Sequence, residues 1–245
     1  MITVGLLRNA LAEEVKYVID MCAAPGGKSI ELIAALHDRN ARILCNDISG
    51  DRMETMKGVF AKHHTKLASV AVSYDTLHGG KMAKKMPNSA DIVICDAPCS
   101  GTGNLYQDEF MLPNFNFSEE NAKKQETLLD AAIHIVKPEG HVVYSTCTLN
   151  GGENEAVVAA MQKKWGNTIE ILDPREILPS SEHWPIDKAV EASIKVQADF
   201  HKTHTSNPRI RNPFPAVRLD GLTSPGRSTG FFAALIRKRG NVKKT

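Results

Sequence analysis

The organisation of this chain follows from one turn, which reads Ile19-Asp20-Met21-Cys22-Ala23-Ala24-Pro25-Gly26-Gly27-Lys28-Ser29. The apolar run from Val15 to Met21 predicts a buried strand, and the apolar spacing from Ser29 to about His37 predicts a helix. A strand, a glycine-rich turn and a helix bring backbone N–H groups and a positive helix end close to a ligand. Gly26 and Gly27 let the backbone approach that ligand, whereas the alternative is a tight turn that binds nothing.

Apolar runs alternate with helical patterns through most of the chain. Predicted strands cover 15–21, 41–47, 67–73, 91–96, 141–145, 168–172 and 231–236, and predicted helices cover 29–37, 51–63, 118–136, 153–165 and 187–196. This alternation predicts an α/β fold with an open, mostly parallel sheet and helices on both faces. The last strand follows a long connection, which favours an antiparallel edge strand. We expect one domain over 1–245, with a Pro/Ser/His-rich connection at about 173–229.

Composition places the chain among intracellular globular proteins. The 245 residues are 42% hydrophobic and 24% charged, and no apolar stretch approaches the roughly 18 residues of a membrane span. The five cysteines are odd in number and lack paired spacing, which favours a reducing compartment over a disulfide framework. We expect a cytoplasmic protein, with the nucleus or an organelle as alternatives. No Cys or His pair has metal-ligand spacing, so no metal site is predicted.

The basic residues are concentrated near the end of the chain. From Lys195 onward, eleven Lys and Arg stand against Asp199 and Asp220, a balance of +9 in a chain whose net charge is +2. Such an excess predicts a nucleic-acid surface that includes Arg209, Arg211, Arg218 and Arg237–Arg239. The alternative is a solvated tail.

Two ligands compete for the first turn. The segment from Cys22 to Ser29 nearly fits the phosphate-binding pattern GxxxxGK[ST], but Cys22 replaces its first glycine and Pro25 removes an N–H donor. Three acids, Asp20, Asp47 and Asp75, end or follow predicted strands and favour an adenosine ligand without phosphates. S-adenosylmethionine fits, because carboxylates also suit its sulfonium charge. NAD fits less well, since the turn is not GxGxxG.

Two thiols follow neighbouring strands of the predicted sheet. Cys99 lies in Asp96-Ala97-Pro98-Cys99-Ser100-Gly101-Thr102-Gly103, and Cys147 lies in Tyr144-Ser145-Thr146-Cys147-Thr148. A single cysteine is usually a small buried hydrophobe. Two cysteines beyond adjacent strand ends predict instead that both thiols face one crevice and take part in chemistry.

Three segments resemble the signature motifs of the RNA cytosine-5 methyltransferases of the Sun/Fmu family: Asp20–Ser29, Asp96–Gly103 and Tyr144–Glu155. The similarity extends from Val15 to Gly230-Phe231-Phe232-Ala233 near the end. It implies a Rossmann-like methyltransferase fold, with a mostly parallel seven-stranded sheet and an antiparallel edge strand. It also implies S-adenosylmethionine as cofactor, and ribosomal or transfer RNA as substrate.

The resemblance implies a role for each site residue. Cys147 would add to carbon 6 of cytosine, Cys99 would assist release of the methylated base, Asp96 would hydrogen-bond the base, and Lys28 would position Asp96. The cofactor would be bound by Cys22, Ala23, Ala24, Pro25, Gly26, Gly27, Lys28, Asp47, Arg52, Asp75 and Asp96. DNA cytosine methyltransferases instead use the cysteine of a Pro-Cys motif as nucleophile, which would make Cys99 the attacker.

The resemblance has one notable departure at the start of the chain. Members of the family usually carry a helical, RNA-binding segment ahead of the core, whereas this chain begins nineteen residues before Asp20. We therefore expect a truncated chain or a partner protein that replaces the segment. The rival functions are a catalytically weak RNA-binding or scaffold protein that retains the fold, and a phosphate-loop NTPase.

Overall fold

The computed structural model describes residues 2–7, 9–12, 14–37, 39–63, 70–103, 119–178, 186–203, 214–219 and 230–240. The helices α1 to α7 are Ile2–Gly5, Gly27–Ala35, Gly50–His63, Gly79–Lys85, Glu119–Ile135, Glu155–Trp165 and Ile186–Thr203. The strands β1 to β8 are Tyr17–Asp20, Arg42–Asn46, Ala71–Asp75, Ala90–Asp96, Val136–Thr146, Ile169–Leu172, Val217–Leu219 and Phe231–Lys238. Within these ranges no helix is both long and apolar enough to cross a membrane.

The strands form one sheet in the order β3-β2-β1-β4-β5-β8-β6, and β7 pairs with β8. β1 runs parallel to β2 and β4, β2 runs parallel to β3, and β7 is antiparallel to β8. The predicted α/β fold, with a mostly parallel sheet and an antiparallel portion, is confirmed. The expected edge position of the last strand is wrong, because β8 lies between β5 and β6. Five consecutive residues of β8, 232–236, are buried, as in a strand covered on both faces.

The chain divides into two compact units. The first unit comprises Met1–Asp96, Leu128–Val143 and Arg237–Thr245, and the second comprises Ala97–Thr127 and Tyr144–Ile236. The first unit therefore holds the whole of β1 to β4, and the second holds α6, α7, β6 and β7. Each unit carries one part of the predicted site.

Within the first unit, the sequence patterns missed two short helices, α1 and α4. The seven residues of α4, of which Gly79 and Met82 are buried, are too few to display a helical period. A Cβ on Gly79 would lie 3.1 Å from Leu128 and 3.5 Å from Ala131, so the helix packs closely against α5.

In the second unit, Tyr144 and Phe232 pack edge to face with ring centroids 6.3 Å apart. The last predicted helix is longer than expected and extends to Thr203. Gln197 of α7 explains part of that extension: its Nε2 donates to the carbonyl of Phe214, and its Oε1 accepts from the N–H of Phe214, both at 2.9 Å. Ser118, the first residue of the helix predicted over 118–136, and residues 67–69 of the third predicted strand lie outside the described residues.

Candidate active site

The turn between β1 and α2 needs a glycine at its last position. Gly26 has φ +110°, in the left-handed region. A Cβ there would lie 2.8 Å from Cε2 of Phe60 and 3.1 Å from Cγ of Met56. Gly27 differs, because a Cβ on it would meet no atom within 4 Å. Protein packing therefore requires Gly26, whereas Gly27 borders open space at the start of α2.

The end of β2 holds this turn in place. The N–H of Ala24 donates to Asp47 Oδ2 at 3.3 Å, and Arg52 bridges the two residues, since it donates to the Ala24 carbonyl at 2.6 Å and pairs with Asp47 at 3.3 Å. The Asp47 carboxylate is 2% exposed and also accepts from the N–H of Ser49. Asp75, at the end of β3, accepts the N–H of Asp47 on its backbone carbonyl at 3.3 Å. The predicted cofactor residues Asp47, Arg52 and Asp75 thus lie together at the carboxyl ends of β2 and β3.

Asn46 belongs to this arrangement and was missed at the level of sequence. Its Nδ2 donates to the carbonyls of Met21 and Leu77, each at 3.0 Å, and its Oδ1 accepts from the N–H of Leu77 at 2.8 Å. One buried amide therefore joins the loops that follow β1 and β3. The available signal was a polar residue at the end of an apolar strand.

Ile48 is the second residue that the sequence patterns missed. Its side chain is 66% exposed, and among the described residues it is the large hydrophobic side chain left most open. It directly follows Asp47, so an apolar surface stands beside the carboxylate at the end of β2.

Carboxylates gather around the end of β1. Asp96, which ends β4, accepts from Lys28 Nζ at 2.5 Å. Asp20 is buried: its Oδ2 accepts from Ser29 at 2.6 Å, and its Oδ1 has no hydrogen-bond partner among the described residues. Burial, assisted by the charge of Asp96, raises the pKa of Asp20 to about 6. Burial and the nearby acids Asp20, Asp47 and Asp96 likewise raise the pKa of the Cys22 thiol.

The buried carboxyl of Asp20 predicts a pH-dependent stability. Its pKa is about 6 when folded and about 3.9 when unfolded, so between these values the folded state binds more protons. We expect the free energy of unfolding to fall by about 3 kcal/mol as pH rises from about 3 to about 7. Urea unfolding across this range, compared between the wild type and Asp20→Asn, measures the contribution. An identical pH profile in the variant would assign the titration to another group.

The two predicted thiols face each other in the second unit. Cys99 Sγ lies 3.4 Å from Cys147 Sγ. Their loops are joined at Gly103, whose N–H donates to the carbonyl of Cys147 at 2.9 Å. A Cβ on Gly103 would lie 2.7 Å from that carbonyl oxygen and would also overlap the carbonyl of Gly230. A glycine at this position therefore permits the close approach of the two thiol-bearing loops.

Hydroxyl groups strengthen the same junction. Thr148 Oγ1 lies 2.8 Å from the hydroxyls of both Ser100 and Thr102. Thr102 Oγ1 also accepts from the N–H of Leu149 at 2.7 Å. Residues that follow Cys99 in sequence are therefore bonded to residues that follow Cys147.

The thiol pair resists double ionisation. The hydrogen bond with Cys147, together with burial, raises the pKa of Cys99, while the N–H groups of Gly101 and Cys147 oppose the shift. Two adjacent thiols share their first ionisation, and the second proton is harder to remove. The raised pKa favours the protonated form of Cys99. The cysteines within strands are unlike this pair, since burial raises the pKa of Cys45 to about 12 and raises that of Cys95 well above its usual range.

The structure corrects part of the predicted basic surface. Arg218 is 8% exposed, and its guanidinium lies 3.0 Å from Glu155 Oε1, while it also donates to the carbonyl of Leu149. The positive charge of Arg218 is therefore paired within the second unit and is not presented to an RNA phosphate. Lys238, half-buried, donates to the carbonyls of Ile133 and Val136 near the end of α5. Arg209 and Arg211 lie outside the described residues.

Comparison with known proteins identifies the family of this chain. The family described as 16S rRNA methyltransferase RsmB/F matches residues 9–188. The ribosomal RNA small subunit methyltransferase F of Salmonella paratyphi B is 34% identical over 168 residues, which cover 67% of this chain and 34% of the relative. The chain thus spans about a third of the length of the curated relatives it matches.

Solved structures share the fold over nearly the whole chain. PH0851 superposes with a TM-score of 0.71 and 21% identity, over 96% of this chain and 45% of that one. NSun6 from Pyrococcus horikoshii, solved with SFG, superposes with a TM-score of 0.67 and 25% identity, over 97% of this chain and 52% of that one. These findings confirm the resemblance carried by the three sequence motifs, and the chain belongs to the RsmB/F family of 16S rRNA methyltransferases.

Proposed function

We propose that this chain transfers a methyl group from S-adenosylmethionine to carbon 5 of a cytosine in RNA, through a covalent bond to Cys147. The observation that carries the proposal is the pair of thiols, Cys99 and Cys147, with sulfur atoms 3.4 Å apart on loops that follow β4 and β5. Family membership supports an RNA substrate. The name of the family favours ribosomal over transfer RNA.

The residues of the first unit fit the proposed cofactor. The carboxylates of Asp20, Asp47, Asp75 and Asp96 suit a cationic adenosine derivative better than a phosphate chain. Asp47 would accept the ribose hydroxyls, and Ile48 offers an exposed apolar surface for the adenine. The turn Cys22-Ala23-Ala24-Pro25-Gly26-Gly27-Lys28 would contribute backbone N–H groups at the start of α2. SFG, bound in a neighbouring structure, is an analogue of this cofactor.

The cofactor would supply the electrophilic methyl group, and the protein would make carbon 5 of the base reactive. The Cys147 thiolate adds to carbon 6, and the electron pair of the 5,6 double bond then becomes available at carbon 5. Asp96, paired with Lys28, would hold the base edge and favour protonation at nitrogen 3. After methylation, the proton on carbon 5 must leave and the bond between Cys147 and carbon 6 must break.

The groups around the two thiols favour Cys99 as the base that removes the carbon-5 proton during release of the methylated cytosine. Cys147 is the largest cause that raises the pKa of Cys99. Once Cys147 forms a neutral thioether with the base, that cause disappears. Burial then still raises the pKa of Cys99, while the N–H groups of Gly101 and Cys147 favour its thiolate. The Cys99 proton would pass to solvent at that stage. The resulting thiolate would accept the carbon-5 proton as the electron pair of the bond between carbon 6 and sulfur returns to Cys147.

Cofactor titration and mapping of the product test the proposal. We expect calorimetry to show binding of S-adenosylmethionine and none of magnesium-ATP, and bisulfite sequencing to show a cytosine that loses its protection when the protein is absent. Tight magnesium-ATP binding would support the phosphate-loop NTPase instead. Cofactor and RNA binding with no methyl transfer would support the scaffold.

Asp47 and Ile48 give a separate prediction for the cofactor. Asp47→Ala is expected to weaken S-adenosylmethionine binding by roughly 1.5–3 kcal/mol, through loss of a charge-assisted hydrogen bond. Because Asp47 also holds Arg52 and the turn, Ile48→Ser serves as the matched variant at an exposed position. It should weaken binding by about 1 kcal/mol without lowering the melting temperature. Unchanged dissociation constants for both variants would place the nucleoside elsewhere.

Two further parts of the proposal concern a partner protein and the cellular compartment. The first is a partner protein that contributes to RNA docking. The curated relatives are bacterial proteins, which favours the cytoplasm over the nucleus or an organelle.

A further inference from the structure

Both peptide groups that flank Cys99 are held by side chains from elsewhere in the second unit. Gln125 of α5 donates through Nε2 to the carbonyl of Pro98 at 2.8 Å. Glu153, just before α6, accepts the N–H of Ser100 on Oε2 at 3.0 Å. One bond therefore fixes the peptide before Cys99 and the other fixes the peptide after it.

The two holding side chains are bonded to each other. Gln125 Nε2 lies 2.9 Å from Glu153 Oε2, and Asn150 Nδ2 donates to Glu153 Oε1 at 3.2 Å. The backbone carbonyl of Glu153 accepts from the hydroxyl of Tyr144 at 2.6 Å. Gln125 is 0% exposed and Glu153 is 1% exposed. The pair is thus a rigid, water-excluded support rather than a surface contact.

We propose that Gln125 and Glu153 are positioning residues for Cys99, because together they hold both of its flanking peptide groups. This inference rests on the proposed function, in which Cys99 accepts a proton from the methylated base. Cys99 lies in a loop, so its sulfur has no strand or helix of its own to fix it. Cys147 directly follows the last residue of β5. Weakening the bonds of Gln125 and Glu153 should therefore slow release of the methylated base more than it slows addition of Cys147 to carbon 6.

The first test compares two buried glutamines. Gln125→Leu removes the support of Cys99, whereas Gln197→Leu removes a side chain that is equally buried and also binds backbone, at Phe214. With RNA and cofactor, Gln125→Leu should slow release about 10- to 100-fold and accumulate a protein–RNA band that survives denaturing electrophoresis. Gln197→Leu should lower adduct and product together. An unchanged ratio of adduct to product in Gln125→Leu would overturn the inference.

A second variant covers the case in which Gln125→Leu fails to fold. Glu153→Gln preserves the shape of the side chain but replaces one acceptor oxygen with a donor. The variant therefore loses the bonds at one of the two positions, either those from Gln125 and Ser100 or the one from Asn150. It should raise the ratio of adduct to product as well. Because the two residues act as one support, the double variant should exceed the larger single effect by less than about twofold. Effects that multiply would contradict a shared role.

The last measurement does not depend on methyl transfer. The rate at which iodoacetamide alkylates Cys99 in the absence of RNA is followed by mass spectrometry of the peptide that contains it. Gln125→Leu and Glu153→Gln should each raise this rate about five- to tenfold, since local opening becomes easier, and Gln197→Leu should not. Equal rates in all proteins would overturn the positioning role. If wild type forms neither adduct nor product, the proposed function fails. The alkylation rates would still show whether Gln125 and Glu153 hold Cys99 in place.

Discussion

Cys147→Ala and Cys99→Ala are expected to fail at different steps. Cys147→Ala should bind RNA and cofactor but form no covalent adduct, because nothing adds to carbon 6, and methyl transfer should fall by at least about a thousandfold. Cys99→Ala should add and methylate once, then stall with the base attached. Its protein–RNA band should resist denaturation and require a cofactor that carries the methyl group. Gel electrophoresis with labelled RNA measures both outcomes.

The control for this pair is Cys45→Ala, a buried cysteine of β2 far along the sequence from either thiol loop. It should behave as wild type toward RNA. A persistent adduct with Cys147→Ala, and none with Cys99→Ala, would reverse the two roles, as in the DNA enzymes, and keep the cytosine chemistry. No adduct from any variant, with wild type inactive on total RNA, would support the scaffold.

Arg218→Ala is expected to be the most destabilising single change in the second unit. Glu155 is fully buried, and burial raises the pKa of its carboxyl while Arg218 opposes the shift. Removing the arginine leaves an uncompensated buried acid, and the free energy of unfolding should fall by about 3–5 kcal/mol. Urea unfolding at pH 7 measures the loss.

Two variants separate the lost pairing from a general loss of positive charge. Lys195→Ala removes the same charge at an exposed position of α7 and should change stability by less than about 0.5 kcal/mol. Replacing both partners, as Glu155→Leu with Arg218→Met, should restore most of the lost stability. A stable Arg218→Ala protein with a reduced salt dependence of RNA binding would contradict the buried pairing and return Arg218 to the RNA surface.

Local sequence patterns were sufficient to predict the first strand, turn and helix of this protein and its central strands. The apolar run before Asp20, the glycines after it and the helical spacing from Ser29 all depend on residues close in sequence. They predicted β1, the turn and α2 at nearly their observed positions. The same applies to the central strands β2 and β4, whose continuous apolar runs indicate burial on both faces. The two thiols beyond strand ends were also visible, since strand ends follow from the same patterns.

Tertiary structure decided where long-range partners lie. The apolar run of β8 indicated a strand, but its place between β5 and β6 depends on pairing across the sheet. Arg218 looked like part of a basic surface because the sequence shows its charge and hides Glu155, 63 residues away. Gln125 carries no local signal, and Glu153 lies in the motif Tyr144–Glu155 but its partners are not visible there, since each residue bonds to the Cys99 loop from a distant segment. Sequence therefore determined which elements form, whereas burial and hydrogen bonding between distant residues decided which charges and amides surround the site.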